Sequence, residues 1–158
     1  MEIKTVRNAL INTLKTNPDI ISKIGADKVG YGLGRNINKN MLPRSIRVVQ
    51  LGRGGTGTEA EEAADFGGGT EYVWAKYRFH VVVVFQLVEG EDEKDAEDYE
   101  SDYDRIVRKA ISANCTLGSV VTDIELGRTL IRQLPEKDTI YFVLLEVNAL
   151  SYESTTER

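Results

Sequence analysis

A G-x-G-x-x-G spacing is formed by Gly52, Gly54 and Gly57, directly after an apolar, β-branched run. Thr58 and Glu61 follow with the spacing of a helix-capping box. In dinucleotide-binding folds such glycines make the tight turn from a strand into a helix, and the helix N-terminus binds the pyrophosphate. The segment therefore raises the hypothesis of a nucleotide-binding enzyme.

The residues around these glycines argue against that hypothesis. A dinucleotide fold needs a helix with an apolar face to pack on a parallel sheet. The candidate helix, residues 58–65, has only alanines as apolar residues before Phe66, and three further glycines follow. A P-loop would need a lysine directly after Gly57, where Thr58 stands. We predict instead that residues 52–70 form a long surface loop that orders on contact with a partner.

The candidate residues of this assembly loop are Gly52, Gly54, Gly57 and Phe66. Seven glycines in residues 52–70 make ordering costly, at about 1–2 kcal/mol per residue. Only a partner interface is expected to offset that cost.

Other chemistry has little support in the sequence. His80 is the only histidine and Cys115 the only cysteine, so no histidine pair, internal disulfide or multi-cysteine zinc site is possible. Within the acidic run, residues 92–104 contain no glycine, whereas an EF-hand loop needs one at its sixth position. The sequence predicts no catalytic residue, no cofactor and no metal site.

Composition limits the class of protein further. The chain has 158 residues, of which 41% are hydrophobic and 28% charged, as in a soluble single-domain globule. Its net charge of −5 and pI near 5.0 argue against a surface that wraps nucleic acid. The N-terminus lacks the apolar core of a signal peptide, and the longest apolar stretch, residues 79–88, is too short for a membrane helix.

Periodicity predicts an α+β fold of a mainly antiparallel sheet with helices packed on one face. Residues 1–153 are expected to form one domain, and residues 154–158 a polar tail. Asn17 and Pro18 suit the start of the second helix. The predicted elements are helices over 3–15, from 18 to Gly25 and over 92–113, with strands near 29–33 and over 46–51, 72–88, 119–132 and 139–152.

The longest strands suggest a contact with another subunit. A straight strand over 72–88 would span roughly 55 Å, more than the roughly 40 Å diameter of a compact chain of this length. Both long strands also carry an apolar patch on the face opposite the predicted core. We therefore predict a subunit or partner interface formed by Val82, Val84, Ile140, Phe142 and Leu144, with Lys76 and Arg78 beside it.

The order and texture of the chain resemble the tail terminator, or tail completion, proteins of long-tailed bacteriophages. The similar segments cover residues 1–153: MEIKTVRNALINTLK, then PRSIRVVQL, a variable polar loop, EYVWAKYRFHVVVVFQ, DAEDYESDYDRIVRKAI and YFVLLEVNALSYE. The similarity is one of order and length, without a catalytic motif. Loop 52–70 is larger and richer in glycine than is typical of that family.

This resemblance implies a non-enzymatic virion protein at the junction of tail and neck, present in the host cytoplasm during assembly. It implies a hexameric ring that caps the tail tube and binds a neck or head-completion protein. DNA would pass through the ring without specific binding, and no membrane is involved.

Ten acidic residues between 89 and 104 cannot be buried unpaired. We expect Glu91, Asp92, Glu93 and Asp95 on an exposed or lumen-facing surface, where neutralising them would leave the fold intact. The alternatives are another neck or head–tail joining protein of related fold, a small nucleotide-binding enzyme and a solitary ligand-binding module.

Overall fold

The structure is a computed structural model that describes residues 1–34, 39–55, 72–134 and 139–154. Its helices and strands follow one another in this order: α1 (Ile3–Lys15), α2 (Pro18–Lys23), β1 (Val29–Tyr31), β2 (Arg44–Gly55), β3 (Tyr72–Gln86), α3 (Glu93–Ser112), β4 (Asp123–Gln133) and β5 (Ile140–Ser154).

The first two helices are set by local signals. In α1 the apolar residues Val6, Leu10 and Leu14 recur at helical spacing, and all three are fully buried. Helix α2 begins where the Asn17 side chain accepts hydrogen bonds from two backbone N–H groups, with proline at the first helical position. Gly25 follows the helix with φ of 110°, a backbone conformation that glycine adopts without steric cost.

Helix α3 begins with a capping box between Asp92 and Asp95. Each carboxylate accepts a hydrogen bond from the other residue's backbone N–H, at 3.3 and 2.9 Å, which satisfies N–H groups that a helix end leaves free. One stripe of the helix is buried against the sheet, and it consists of Ala96, Tyr103, Ile106, Val107, Ala110 and Ile111.

The five strands form one sheet in the order β1-β2-β3-β5-β4. All neighbours are antiparallel except β1 and β2. Strands β3 and β5 pair without interruption from Tyr72 opposite Ser154 to Gln86 opposite Ile140. The registers of β2 against β3 and of β4 against β5 each shift once, at residues 50–52 and 126–129.

Alternate residues of β3 form the centre of the core. Val73, Ala75, Tyr77, Phe79, Val81, Val83 and Phe85 are each at most 2% exposed. All of them except Val73 belong to one apolar cluster with the buried residues of α1 and α3. The helices therefore cover one face of the sheet, and the predicted α+β architecture is confirmed. We call the opposite side the open face.

The structure corrects two strand boundaries. Strand β2 continues through Gly52 and Gly54 to Gly55, where the sequence predicted the start of a loop, because these residues pair with β3. Gly52 has φ of 148° at the register shift, which glycine tolerates. Strand β4 begins at Asp123 instead of residue 119, because Leu117 and Ser119 have positive φ in the turn after α3.

A second apolar cluster lies on one half of the open face. Its buried members are Val82, Val84 and Ile140, each at most 2% exposed. Neighbouring sheet residues pack against them, and so do three leucines from loops of the same chain: Leu33, Leu42 and Leu134. Arg47 holds one of these loops, because its guanidinium group donates to the carbonyls of residues 31 and 32.

This packing corrects part of the predicted interface. Val82, Val84 and Ile140 were expected to be covered by another subunit, yet the chain covers them itself and leaves no surface to contact. Phe142 and Leu144 belong to the same cluster but are only half-buried. The physical reason is that Leu33, Leu42 and Leu134, which lie just outside the strands, pack over this half of the sheet.

Val84→Glu is accordingly expected to destabilise the isolated subunit. A carboxylate without a partner would occupy a site that is fully buried, which lowers the free energy of unfolding by about 3 kcal/mol or more. Trp74→Glu, on the same face of the same strand but 38% exposed, is the matched control and should cost about 1 kcal/mol. Urea unfolding measures both values, and equal losses would contradict the burial of Val84.

Candidate functional site

The other half of the open face is exposed. The pleat of β3 places Trp74, Lys76 and Arg78 on this face, opposite Tyr152, Leu150 and Asn148 of β5. The rings of Trp74 and Tyr152 lie with centroids 5.2 Å apart, and the two residues remain 38% and 51% exposed. Tryptophan and tyrosine exposed as a pair are typical of interaction surfaces.

A groove of about 500 Å³ runs across this exposed half. Gly52 and Gly54 have no side chains to fill it, and they face Arg78 and Lys76 across the strand pair. We call it the basic groove, and it is lined by Leu51, Gly52, Arg53, Gly54, Lys76, Arg78 and Asn148. No carboxylate of the described residues forms an ion pair with Lys76 or Arg78. Their positive charge is therefore available to an anionic partner.

The basic groove brings together residues that the sequence assigned to two separate features. Lys76 and Arg78 were predicted beside an apolar interface, and Gly52 and Gly54 were predicted in the assembly loop. Gly57 and Phe66, also assigned to that loop, lie outside the described residues. The structure thus groups two cations with two glycines, and separates them from the covered cluster around Val84.

The same geometry disfavours a nucleotide site at the glycines. A dinucleotide-binding turn must leave the strand at its first glycine and enter a helix. Here Gly52 and Gly54 both remain in an antiparallel ladder with β3, so their N–H groups do not converge at a helix N-terminus. The resulting backbone gives no phosphate cradle among the described residues.

A buried polar network lies behind the basic groove, on the helix-covered face. The Tyr77 hydroxyl donates to Glu153, with 2.8 Å to each carboxylate oxygen, and it accepts from Arg53 Nε at 2.9 Å. Arg53 also lies 3.4 Å from Glu153, and the amino group of Met1 lies 2.9 Å from it. The buried carboxylate is therefore paired, and the ends of β2, β3 and β5 are held together.

Burial raises the pKa of Tyr77 to about 12, while the hydrogen bond from Arg53 acts in the opposite direction. The hydrogen bond with Tyr77 raises the pKa of Arg53 in turn. Sequence reasoning missed Arg53 and Glu153 as partners. The alternation of each strand places Tyr77 and Glu153 on the buried face. This could have indicated the network, since a buried hydroxyl and a buried carboxylate both need hydrogen-bond partners.

The acidic residues at the start of α3 have structural roles. Asp92 and Glu93 are exposed, whereas Glu91 and Asp95 are half-buried. Glu91 accepts hydrogen bonds from the Tyr99 hydroxyl and from the backbone N–H of Val88, and these bonds lower its pKa in that order. The expectation that neutralising all four leaves the fold intact stays a prediction. Because three of them satisfy hydrogen-bond donors, we expect the change to lower the stability of the subunit.

A second groove lies between α3 and the outer strand β4. It has a volume of about 370 Å³ and is lined by Glu97, Glu100, Ser101, Asp104, Thr129 and Ile131. We call it the acidic groove. Burial raises the pKa of Glu100, and the charge of Glu97 raises it further. Asp104 is paired with Arg108, which also donates to the Gly127 carbonyl, whereas Glu97 and Glu100 have no cation partner among the described residues.

Other candidate chemistry stays isolated. His80 is half-buried and pairs across the strands with Glu146, and Cys115 is exposed. Within the described residues, no three His, Cys, Asp or Glu side chains are placed to hold a metal ion. No helix in the described part of the chain is long and apolar enough to cross a membrane.

The raised pKa of Tyr77 predicts a loss of stability in alkali. The folded state holds this proton more tightly than the unfolded chain, whose tyrosine pKa is 10.0. The stabilisation is therefore fully present below pH 10 and is lost as the pH rises through about 12. Tyr103, also raised to about 12 by burial, acts in the same direction. Tyr77→Phe should weaken this dependence in urea unfolding at alkaline pH, and an unchanged profile would contradict the assignment.

The capping box predicts a second effect on stability. Asp92→Ala removes the acceptor for two N–H groups of α3 and should lower the free energy of unfolding by about 1 kcal/mol. Asp98→Ala, at an exposed position of the same helix, is the control and should change it by less than about 0.5 kcal/mol. The comparison is made by thermal and urea unfolding, and equal effects would count against the cap.

No protein-family model matches the chain, and no curated protein matches it either.

Proposed function

We propose that this protein is a structural subunit that assembles head-to-tail into a ring, and that the ring is the terminator of a phage tail. The ring would cap the tail tube and present a docking surface to the neck or head. The proposal combines the resemblance in sequence order with the surfaces that the fold leaves uncovered. It is a proposal for a virion protein without an enzymatic step.

The observation that carries the proposal is the uncovered half of the open face. It lies on the central strands β3 and β5, and it combines the exposed Trp74–Tyr152 pair with the basic groove. Single exposed apolar residues are ordinary, but aromatic residues beside unpaired cations on the middle of a sheet mark an interaction surface. In a lone subunit this surface faces water, and a ring neighbour or the tube end would cover it.

The edges of the sheet support the same proposal. Strand β4 is paired on one side only within the described residues, and β2 beyond Val48 pairs only with β3. Open strand edges promote association with other chains, and soluble proteins normally cover them. The two edges of the sheet differ from each other, and so do its two faces. A contact between unlike surfaces of two subunits is heterologous, and it closes into a ring when the rotation between subunits permits.

Charge supports a channel role for such a ring. The net charge is −5, and exposed carboxylates lie at the N-cap and in the first half of α3, such as Asp92, Glu93 and Asp98. A negative surface repels DNA phosphates and prevents adhesion during passage. The proposed partners are therefore other copies of this chain, the tube protein and a neck protein, with DNA as passing cargo.

Mass measurement tests the ring. Sedimentation velocity over a concentration series should show a species near six times the 17.6 kDa subunit, and electron microscopy of that species should show a closed ring. Purified tail tubes mixed with the protein should carry it at one end only. A strict monomer at every concentration that also ignores tube ends would contradict the proposal, and a monomer that binds nucleotide would favour the enzyme alternative.

A further inference from the structure

The two grooves lie on opposite sides of the sheet. The basic groove is on the open face at the β2 edge, where Lys76 and Arg78 point away from the helices. The acidic groove is on the helix-covered face at the β4 edge, between Glu100 and Thr129. Strands β3 and β5 separate the two edges, so one copy cannot bring its own grooves together, whereas two copies can.

Each groove has charges that the described part of the subunit leaves unpaired. Lys76 and Arg78 have no acidic partner there, and Glu97 and Glu100 have no basic partner. The raised pKa of Glu100 reflects partial burial beside a like charge, an arrangement that a cation from outside would relieve. The surfaces are therefore complementary in charge.

Apolar side chains flank both grooves. Ile131 is 52% exposed at the acidic groove. Leu51 is 44% exposed at the basic groove, and Trp74 lies nearby on the same strand face as Lys76. Apolar contact around a charge pair excludes water and strengthens the pair.

We infer that the basic groove of one subunit binds the acidic groove of a second copy of this chain, with Lys76 and Arg78 placed against Glu97 and Glu100. The inference rests on the proposed ring and names its contact. Because the two surfaces differ, the contact is heterologous and propagates around a ring instead of stopping at a dimer. It also covers the free edges of β2 and β4.

Charge reversal tests this contact. The variant Lys76→Glu with Arg78→Glu makes the basic groove acidic, and Glu97→Lys with Glu100→Lys makes the acidic groove basic. Each variant places like charges together, so its self-association should weaken by roughly 100-fold. An equimolar mixture of the two should assemble, and a chain carrying all four changes should assemble alone, because opposite charges then meet again.

The control has the same change of charge as the Glu97→Lys, Glu100→Lys variant, at residues that do not line either groove. Glu89→Lys with Asp98→Lys alters two exposed carboxylates and should assemble like the unchanged protein. Circular dichroism must show that every variant is folded. A variant that unfolds is replaced by the corresponding glutamine or methionine variant, for which a smaller weakening is expected, and an unweakened one counts against the contact.

The outcomes separate this inference from the ring itself. Rings formed equally well by all variants would overturn the groove contact and leave the ring proposal standing. A chain that remains monomeric under every condition would overturn both. Unchanged assembly together with loss of binding to a duplex oligonucleotide in the Lys76→Glu, Arg78→Glu variant would assign the basic groove to nucleic acid instead.

A cross-link tests the same contact when association is weak. In a background with Cys115→Ser, Arg78→Cys on one copy and Glu100→Cys on another should form a disulfide-linked dimer under mild oxidation. Asp98→Cys in place of Glu100→Cys is the control on the same helix. Faster cross-linking at residue 100 than at residue 98 supports the contact, and equal rates overturn it.

Discussion

The rest of the structure depends on the uninterrupted pairing of β3 with β5. Fifteen consecutive residue pairs join these strands, and every other strand is added on one side or the other of this central ribbon. Because side chains alternate between the faces, a register change of one residue would turn Tyr77 and Phe79 away from the helices. The register is therefore fixed by the apolar residues that α1 and α3 cover.

The two faces of this central ribbon are covered by different parts of the chain, and the candidate site lies on the part that is left uncovered. On one face the helices bury a continuous apolar cluster. On the other, loops cover the half around Val84, while the half around Lys76 stays open. The polar network of Arg53, Tyr77 and Glu153 holds the strand ends behind the open half. The exposed surface thus lies on a firmly supported part of the sheet.

Local rules account for much of the fold that the sequence predicts. Helix α1 has the predicted bounds, 3–15, because its apolar periodicity stops where the chain turns. Alternate residues of β3 are buried because successive side chains of a pleated strand point to opposite faces, and those of the helix-covered face are apolar. The glycines at 52 and 54 were assigned to a loop because glycine weakens an isolated strand. Backbone pairing with Arg78 and Lys76 keeps them in the sheet. Because these partners are more than 20 positions away in the chain, the residues around the glycines do not indicate the pairing.

The sequence by itself determined the Asn17 cap of α2, the alternation of the strands, the class of fold and the surplus of acid at the start of α3. Each of these follows from residues within a few positions of one another. Only the tertiary structure decided that Leu33, Leu42 and Leu134 cover Val84, and that Glu153 meets Tyr77, 76 positions away in the chain. These contacts depend on how distant segments pack, and no local period specifies which loop reaches which strand.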